Sequence, residues 1–419
     1  MSSKGKTSAQ AGGGAASAPK LRFPEFVGHQ LQALQLADVT AECVERNGDG
    51  RTSSQFMGVS KVEGIVPMEE RIVAADTARY KFVRKNWFAY NPMRLNIGSI
   101  ARWQGDDDIL VSPDYVVFKC KGAGSRRLDP AYLDHFRRSD AWENFVSEKG
   151  DGSVRVRIYY KDIARLHLAL PSIPEQRKIA DCLDSADALI AVQGRKVEEL
   201  RAQKKALMQQ LFPRGGETQP RLRFPEFEAT GEWEIKPLSE IATYENGKAY
   251  EKDIVEKGKY IVVNSRFIST DGAVRKYTNA DYLIANVGDV LMVLSDLPRG
   301  RALAKCYFVE ANDRYAVNQR ICRLKGKRLD SKFMFFILDR NLNLLAYDDG
   351  QTQTHLSKGN VLECPLCFPP NKAEQQRIAD CLTSLDDLIA AESLKLDTLK
   401  THKKSLMQQL FPEVREDDA

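Results

Sequence analysis

The stretch EQRKIADCL at residues 175–183 returns almost unchanged as EQQRIADCL at residues 374–382, about 200 residues further along the chain. Two more blocks return in the same order: LRFPEF at 21–26 and 222–227, and MQQLFP at 208–213 and 407–412. Repetition at a fixed spacing indicates a repeated structural unit, and a period near 200 residues is too long for a solenoid. We therefore interpret the chain as a tandem duplication of one large unit.

The repeat boundaries and the polar joints between them predict seven segments. Residues 1–20 are rich in Ser, Ala, Gly and Lys and cannot bury enough apolar surface to fold, so they are expected to form a disordered tail. The segments that follow are a first globular domain (21–170), a central long helix (171–213), a linker (214–221), a second globular domain (222–369), a C-terminal long helix (370–412) and a tail (413–419).

Each globular domain has a mixed pattern that predicts an α+β fold. Short β-rich runs separated by turn residues predict strands at 115–118 and 154–159 in the first copy and at 260–263 and 290–294 in the second. Asp129 and Asp330 each precede a short helical pattern and offer an N-cap carboxylate.

The end of each copy carries apolar residues at alternating spacings of four and three, which is typical of a coiled-coil seam. The seam positions are Ile179, Leu183, Ala186, Ile190, Gln193, Val197, Leu200, Lys204, Leu207 and Leu211, and then Ile378, Leu382, Leu385, Ile389, Glu392, Leu396, Leu399, Lys403, Leu406 and Leu410. At 1.5 Å per residue, each helix would be about 55 Å long.

The polar seam residues favour an antiparallel pair. A parallel pair in register would stack Lys204 on Lys403, whereas an antiparallel pair can place Lys204 against Glu392 and Lys403 against Gln193. The alternative is that these positions are solvated interruptions. An antiparallel pair relates the two copies by an approximate two-fold axis, which suits a two-part target on duplex DNA with half-sites roughly 34–36 Å apart.

Composition excludes several classes of protein. The 419 residues hold 62 Lys and Arg against 57 Asp and Glu, a formal net charge of +5, so the chain is not a polycation. No apolar run reaches membrane-span length and no apolar signal core opens the chain, so we expect a cytoplasmic protein without a membrane segment. The eight cysteines are scattered, which favours reduced thiols over a disulfide framework.

Catalytic and cofactor motifs are incomplete. Asn91-Pro92-Met93-Arg94 begins like the catalytic loop of adenine methyltransferases but lacks its second proline and its aromatic residue, and no glycine-rich cofactor loop precedes it. Cys364 and Cys367 form a lone CxxC without a second pair or a close histidine, which favours structural thiols over zinc. We therefore expect no catalytic residues, no metal and no cofactor.

The repeated blocks together resemble the specificity subunits of type I restriction-modification systems. The resemblance rests on the LRFPEF opening of each copy, the EQ-x-x-IA start and the KK-x-LMQQLFP end of each long helix, and GEWE at 231–234, and it covers roughly residues 20–413. It implies a non-catalytic protein with two target recognition domains, each reading half of a bipartite double-stranded DNA sequence. It also implies docking of two methyltransferase subunits, and of restriction subunits, through the helices.

Two basic windows are the candidate DNA-binding regions. Residues 80–103 carry five basic and no acidic residues among many aromatics, and residues 295–328 carry nine basic and three acidic residues. The candidates are Lys81, Arg84, Asn91, Arg94, Asn96, Arg102, Ser112 and Tyr115 in the first copy, and Ser295, Arg299, Arg301, Asn318, Gln319 and Arg320 in the second. The competing interpretation is a coiled-coil adaptor whose two heads bind something other than DNA.

Overall fold

The computed structural model describes residues 19–48, 55–69, 76–122, 127–148, 157–214, 216–296, 302–347 and 355–412. It divides into two compact units: unit 1 comprises residues 1–194 with 394–419, and unit 2 comprises residues 195–393. Each unit therefore takes one globular part and a portion of both long helices, whereas the sequence suggested separate helical segments. The predicted tails lie outside the described residues, except for Pro19 and Lys20.

Unit 1 is a mixture of short strands and helices. Its strands are β1 (Gln32–Gln35), β2 (Thr40–Glu42), β3 (Phe56–Ser60), β4 (Gly64–Pro67), β5 (Lys81–Val83), β6 (Phe88–Tyr90), β7 (Ile100–Arg102), β8 (Ile109–Val111), β9 (Val116–Cys120) and β10 (His167–Leu170). Its helices are α1 (Leu36–Val39), α2 (Pro130–Phe136), α3 (Asp140–Glu148), α4 (Tyr160–Ile163) and the first part of α5 (Ile173–Leu211).

Unit 2 has a closely similar order of elements. Its strands are β11 (Glu234–Pro237), β12 (Ala242–Asn246), β13 (Ile254–Val255), β14 (Tyr260–Val263), β15 (Tyr277–Thr278), β16 (Ile284–Ala285), β17 (Val290–Val293), β18 (Cys306–Phe308), β19 (Tyr315–Val317), β20 (Ile321–Gly326) and β21 (Pro365–Phe368). Its helices are α6 (Leu238–Ile241), α7 (Ser265–Ser269), α8 (Ser331–Leu338), α9 (Leu342–Leu345), α10 (Lys358–Leu362) and the first part of α11 (Lys372–Leu410).

The strands of each unit form two main sheets and one two-stranded ribbon. In unit 1 the sheet orders are β2-β9-β6-β7 and β4-β3-β8-β5, and β1 pairs with β10. In unit 2 they are β12-β20-β17-β18 and β13-β15-β14-β19-β16, and β11 pairs with β21. One parallel pair occurs at the same place in each unit, β3 with β8 and β14 with β19. The repeat in sequence is therefore matched by a repeat in strand order.

Most of the local predictions within the heads agree with the structure. The strands predicted at 115–118, 260–263 and 290–294 correspond to β9, β14 and β17. Asp129 caps α2 and Asp330 caps α8, since each carboxylate accepts hydrogen bonds from the first backbone amides of its helix. The strand predicted at 154–159 was wrong at residues 157–159, which are not in a strand, and residues 154–156 lie outside the described part.

The repeated sequence blocks latch each head to its long helix. Arg22 pairs with Glu175 through two bonds of 2.7 and 2.6 Å, and Arg223 pairs with Glu374 at 2.7 and 2.8 Å. Both glutamates are fully buried. A buried carboxylate requires such a bidentate cation, which explains why the arginine of LRFPEF and the glutamate of the EQ pair occur together in both copies.

The glutamine of each EQ pair fixes a second helix. Gln176 accepts a hydrogen bond from the Asp129 backbone amide at 2.8 Å and donates to the Pro171 carbonyl at 2.9 Å. Gln375 does the same with Asp330 at 2.6 Å and Pro369 at 2.8 Å. The start of each long helix and the N-cap of α2 or α8 are therefore held by one buried amide side chain.

The predicted seam positions on α5 and α11 are all buried or half-buried. In unit 1, Ile179 and Leu183 share a hydrophobic core with Met407 and Leu410, while Asp187 contacts Lys403. In unit 2, Ile378 and Leu382 share a core with Leu211, Asp386 contacts Lys204, and Glu392 contacts Lys196. Within each unit, rising numbers on one helix face falling numbers on the other, so the two segments are antiparallel.

The predicted partners of the two seam lysines were wrong. Lys204 bonds both oxygens of Asp386 at 2.6 and 2.8 Å instead of Glu392, and Lys403 bonds both oxygens of Asp187 at 2.5 Å instead of Gln193. These contacts correspond to a register displaced by roughly one heptad from the predicted one. Because the apolar seam repeats every heptad, hydrophobic matching alone does not distinguish the two registers.

Candidate nucleic-acid interface

In unit 1, several of the predicted DNA-binding residues meet at one edge of the sheets, where β6 ends and β9 begins. Tyr90 pairs with Val116, which brings Asn91 beside Tyr115. Lys81 at the start of β5 donates to the Tyr115 carbonyl at 2.6 Å, and burial lowers the pKa of this lysine. Ser112 closes the turn before β9, since its hydroxyl accepts the Asp114 amide at 3.4 Å.

Arg94 and Asn96 follow this edge on an exposed 3-10 turn. Asn91 accepts the Met93 amide at 3.0 Å through its side chain, and its backbone carbonyl accepts the Arg94 amide at 2.9 Å. Arg94 has no carboxylate partner among the described residues. We call Lys81, Asn91, Arg94, Ser112 and Tyr115 the unit 1 turn cluster.

The equivalent edge of unit 2 is formed by the end of β17 and the turn before β20. The Leu294 amide donates to the Arg320 carbonyl at 2.9 Å, which places Ser295 beside this turn. The side-chain amides of Asn318 and Gln319 both donate to one oxygen of Glu251, at 3.2 and 3.1 Å. Gln319 and Arg320 are exposed, whereas Ser295 and Asn318 are buried. We call Ser295, Asn318, Gln319 and Arg320 the unit 2 turn cluster.

A close backbone contact fixes the unit 2 turn. A Cβ atom added to Gly247 would lie only 1.9 Å from the Asn318 carbonyl oxygen, so a side chain at this position would displace the turn. The Lys248 amide donates to the Val317 carbonyl at 2.9 Å, on the same side. Glycine is therefore required here for the close approach of two backbones.

Three polar residues of the unit 2 edge were missed from the sequence. Glu251 orients Asn318 and Gln319. Lys248 is exposed beside the turn cluster, since its amide donates to the Val317 carbonyl. Arg266 is also exposed there, since the neighbouring Ser265 donates to the Ser295 carbonyl at 2.9 Å. They lie outside the basic window at 295–328, so local charge could not have found them. Their proximity to this window becomes visible only in the fold, where β14 pairs with β19.

The fold neutralises much of the first basic window with acids from elsewhere. Arg84 pairs with Glu45 at 2.7 Å and with Asp108 at 3.3 Å, and Lys85 pairs with Asp106 at 2.6 Å. Arg102 lies 3.7 Å from Asp134. The local charge of +5 counted along the chain is therefore not a uniform basic surface, and Arg84 and Arg102 lie apart from the turn cluster.

Part of the second window is likewise paired. Arg323 contacts Glu245 and lies 3.7 Å from Asp289, and Lys305 pairs with Asp271 at 2.7 Å. The predicted DNA-binding residues Arg299 and Arg301 lie outside the described residues. Arg320 is the exposed cation that this window places in the unit 2 turn cluster.

One described group of side chains has the composition of a metal site. His135, Asp184 and Asp187 each offer a ligand atom within 4.8 Å of the others. Cations occupy this group, since Lys403 bonds both oxygens of Asp187 and Arg138 lies 3.6 Å from it. These contacts fit a salt-bridge network better than a divalent cation.

All eight cysteines are free thiols. Burial raises the pKa of Cys364 and that of Cys367 to about 11. Thiolates are the form that binds metal or attacks a substrate, so this CxxC favours neither zinc nor nucleophilic chemistry near neutral pH. Within the described ranges, no helix is both long enough and apolar enough to span a bilayer.

Sequence comparisons connect this architecture with restriction-modification proteins. Residues 230–401 match the family model of the type I restriction modification DNA specificity domain. The type I restriction enzyme MjaVIII specificity subunit of Methanocaldococcus jannaschii is 24% identical over 68% of this chain and 70% of its own. The putative MjaX specificity subunit of the same organism is 22% identical over 82% of this chain and 81% of its own.

Solved structures show the same fold. The type I restriction-modification specificity subunit of M. genitalium superposes with a TM-score of 0.59 and 12% identity, covering 95% of this chain and all of that one. A chain from a structure of a type I system, described for its complex assembly and conformational transition, superposes with a TM-score of 0.55 and 18% identity, covering 92% and 98%. At these identities the similarity concerns the fold alone.

Proposed function

We propose that the chain is a specificity subunit of a type I restriction-modification system and that it reads a bipartite DNA sequence with one turn cluster per half-site, since it matches the specificity-domain model and the specificity subunits named above. In this proposal the chain is a non-catalytic DNA-recognition protein, as the similarity to specificity subunits implies. The unit 1 and unit 2 turn clusters would then carry the sequence information, and the catalytic groups would belong to partner subunits.

The observation that carries this proposal is that two equivalent edges bear different side chains. Asn91 and Tyr115 in unit 1, and Ser295 and Arg320 in unit 2, lie where the same two strands of the repeated sheet meet. A duplicated framework that kept one function would be expected to keep its surface residues. Amide, hydroxyl and guanidinium groups in unlike arrangements are suited to reading unlike base edges.

The charge at these edges suits duplex DNA. Exposed Arg94 in unit 1, and exposed Lys248, Arg266 and Arg320 in unit 2, supply cations for backbone phosphates. Glu251 holds the Asn318 and Gln319 side chains in fixed orientations, which reduces the ordering cost of a base contact. Phosphate contacts would position each head, and the amides would specify the bases.

The long helices are the proposed docking surface for methyltransferase and restriction subunits. Their outward side chains include exposed apolar residues, Leu189 and Val192 on α5 and Leu388 and Leu394 on α11. Exposed apolar groups on an otherwise charged helix are typical of protein contacts. We also propose that α5 and α11 continue their antiparallel pairing as one coiled coil.

The decisive experiment purifies the full chain from its native host, identifies a co-purifying methyltransferase and maps methylated bases in host DNA. The expected result is methylation at a split motif with two defined halves. Arg94→Ala should weaken binding or relax only one half, and Gln319→Ala should relax only the other. A lost base contact costs about 1–3 kcal/mol, whereas a lost phosphate contact reduces the salt slope by about one.

Two exposed cations that pair with carboxylates provide matched controls for charge. Lys85→Ala and Arg328→Ala each remove a cation paired with a nearby carboxylate away from the turn clusters, and both should leave the motif and the salt slope unchanged. Methylation at an unsplit motif, or relaxation of the same half by both test variants, would contradict the proposal. Failure of the methyltransferase to co-purify would favour an adaptor with other ligands.

A further inference from the structure

Unit 1 contains a cleft that the turn clusters do not use. Its volume is about 630 Å³, within the range of small-molecule sites, and it opens between the β3–β4 turn, the end of β7 and the end of α2. Four cationic and three acidic side chains line it. Lys61, Arg102, Arg137 and Arg138 supply the cations.

Buried charge in this cleft is unbalanced. Arg102 and Arg137, with 12% and 11% of their side chains exposed, face a single buried carboxylate, Asp134. Arg137 bonds it at 2.7 Å, whereas Arg102 lies 3.7 Å away. Arg138 is divided between Asp134 at 3.4 Å and Asp187 at 3.6 Å. Two buried guanidinium groups sharing one carboxylate leave an excess of positive charge, which is costly without a further anion.

One donor in the cleft lacks a hydrogen-bond acceptor. The Nε atom of Arg102 is buried and has no partner among the described residues. In addition, burial lowers the pKa of Arg137, because desolvation outweighs the attraction of Asp134. Buried donors are nearly always paired in native proteins, so an unpaired donor beside a cleft indicates a missing acceptor.

Unit 2 shows that the fold does not require these charges. Phe308 on β18 is the equivalent of Arg102, since each pairs with the first residue of the neighbouring strand, and Phe335 is the equivalent of Asp134, five residues beyond the helix N-cap. The two phenylalanine rings pack at 6.1 Å. An apolar pair thus fills the place that a charged cluster occupies in unit 1.

We propose that the unit 1 cleft binds a phosphate group, with Arg102 and Arg137 as its principal ligands. Guanidinium groups present planar, fixed donors that match phosphate oxygens, and the near-complete burial of Arg102 and Arg137 strengthens a charge-assisted contact. The phosphate is either that of a free phosphorylated molecule or a backbone phosphodiester of bound DNA. The site does not depend on the turn clusters, so it is tested separately from sequence recognition.

Titration calorimetry of the full chain with inorganic phosphate, pyrophosphate and ATP tests the free-ligand source. Saturable binding is expected in the wild-type protein, with at least a tenfold loss of affinity in Arg102→Met, which keeps the apolar stem but removes the guanidinium. The triple variant Arg102→Phe/Asp134→Phe/Arg137→Leu copies the unit 2 packing, in which Leu338 stands at the position of Arg137, and it should abolish binding while remaining folded. Lys85→Ala is the control for overall charge.

A salt series of duplex binding tests the backbone source. If DNA occupies the cleft, Arg102→Met should lower the salt slope by about one without changing the methylated motif. Binding of the free phosphates with an unchanged DNA slope assigns the site to a small molecule. Absence of binding to all three free ligands, together with an unchanged DNA slope in Arg102→Met, would overturn the proposal even where the triple variant fails to fold. That result would leave the split-motif prediction untouched.

Discussion

Unit 1 and unit 2 use the same latch but different packing where the head meets the long helices. In both, an arginine of the LRFPEF block bonds a fully buried glutamate, and a glutamine accepts the backbone amide of the aspartate that caps α2 or α8. Beyond the latch, three positions that carry ionisable side chains in unit 1 carry aromatic side chains in unit 2. Arg102, Asp134 and His135 in unit 1 stand where Phe308, Phe335 and Phe336 stand in unit 2.

The long helices show the same contrast where they meet α2 in unit 1 and α8 in unit 2, a contact that we call the junction. His135 Nε2 lies 2.8 Å from Asp184 in unit 1. In unit 2 the equivalent helix position is Thr383, and Lys204 lies over the Phe336 ring at 5.2 Å. The latch is therefore common to both units, whereas the junction tolerates either solution. Differences tolerated by a duplicated fold indicate where function can diverge.

The largest effect is expected from breaking the common latch. Arg223→Met leaves the buried Glu374 without its cation, with Trp233 Nε1 at 3.2 Å as a remaining donor, and Arg22→Met leaves the buried Glu175 without its cation, so each should lower the free energy of unfolding by about 3–5 kcal/mol. Chemical denaturation, with hydrogen exchange used to follow each unit separately, measures the free energy of unfolding. A loss below about 1 kcal/mol in both variants would show that the latch does not stabilise the heads.

A smaller effect is expected from giving unit 2 the histidine of unit 1. Phe336 is 3% exposed, so Phe336→His buries an imidazole without the carboxylate partner it has in unit 1, at a cost of about 1–3 kcal/mol. Adding Thr383→Asp supplies the equivalent of Asp184 and should recover part of that loss. A double-mutant cycle measures the coupling, and purely additive losses would contradict the equivalence of the junctions.

The two junctions should also differ in pH dependence. Burial lowers the pKa of His135 below its usual 6.5, so the unfolded chain takes up a proton at higher pH than the folded unit does. The stabilising contribution is complete above pH 6.5 and is lost as the pH falls from there through the lowered pKa. Unfolding of unit 1 between pH 7 and 5 measures this decline, which His135→Phe should remove. An unchanged slope in that variant would assign the decline to other groups.

The smallest effect is expected at the seam lysines. Lys204→Glu places a carboxylate beside Asp386, which is 40% exposed, so solvent screening limits the loss to about 1 kcal/mol. Asp386→Lys should restore the pair, whereas Glu392→Lys, the partner expected from the sequence, should not. Rescue by Glu392→Lys instead would support the register that the heptads predicted, in which residue 204 faces residue 392. Lys403→Glu with Asp187→Lys repeats the test in unit 1.

Local and periodic features could be predicted well from the sequence. The N-caps at Asp129 and Asp330 and the burial of the seam positions depend on a few neighbouring residues or on helical periodicity, and the structure confirms them. The resemblance to type I specificity subunits, which rested on the repeated blocks, is confirmed by the comparisons. The heptad register failed because a slip of one heptad preserves every apolar match.

The predicted DNA-binding residues divided unevenly for a related reason. Asn91 with Tyr115 and Ser295 with Arg320 converge because strand pairing brings the ends of β6 and β9, and of β17 and β20, together. Arg84 and Arg102 depart from the cluster because acids distant in sequence, Glu45 and Asp134, lie against them. Charge counted in a window contains no information on which acids the fold will bring near.

The sequence by itself determined the duplication, the two long helices and the resemblance to type I specificity subunits, because these depend on repeated blocks and on local periodicity. Only the tertiary structure decided what each repeated residue does. The Arg22–Glu175 and Arg223–Glu374 latches join residues about 150 positions apart. The Nε donor of Arg102 is buried without an acceptor because Asp134 of α2, about 30 positions further along the chain, packs against it at 3.7 Å. Contacts of this kind are set by the packing of distant segments, since buried charge must find partners wherever the fold supplies them.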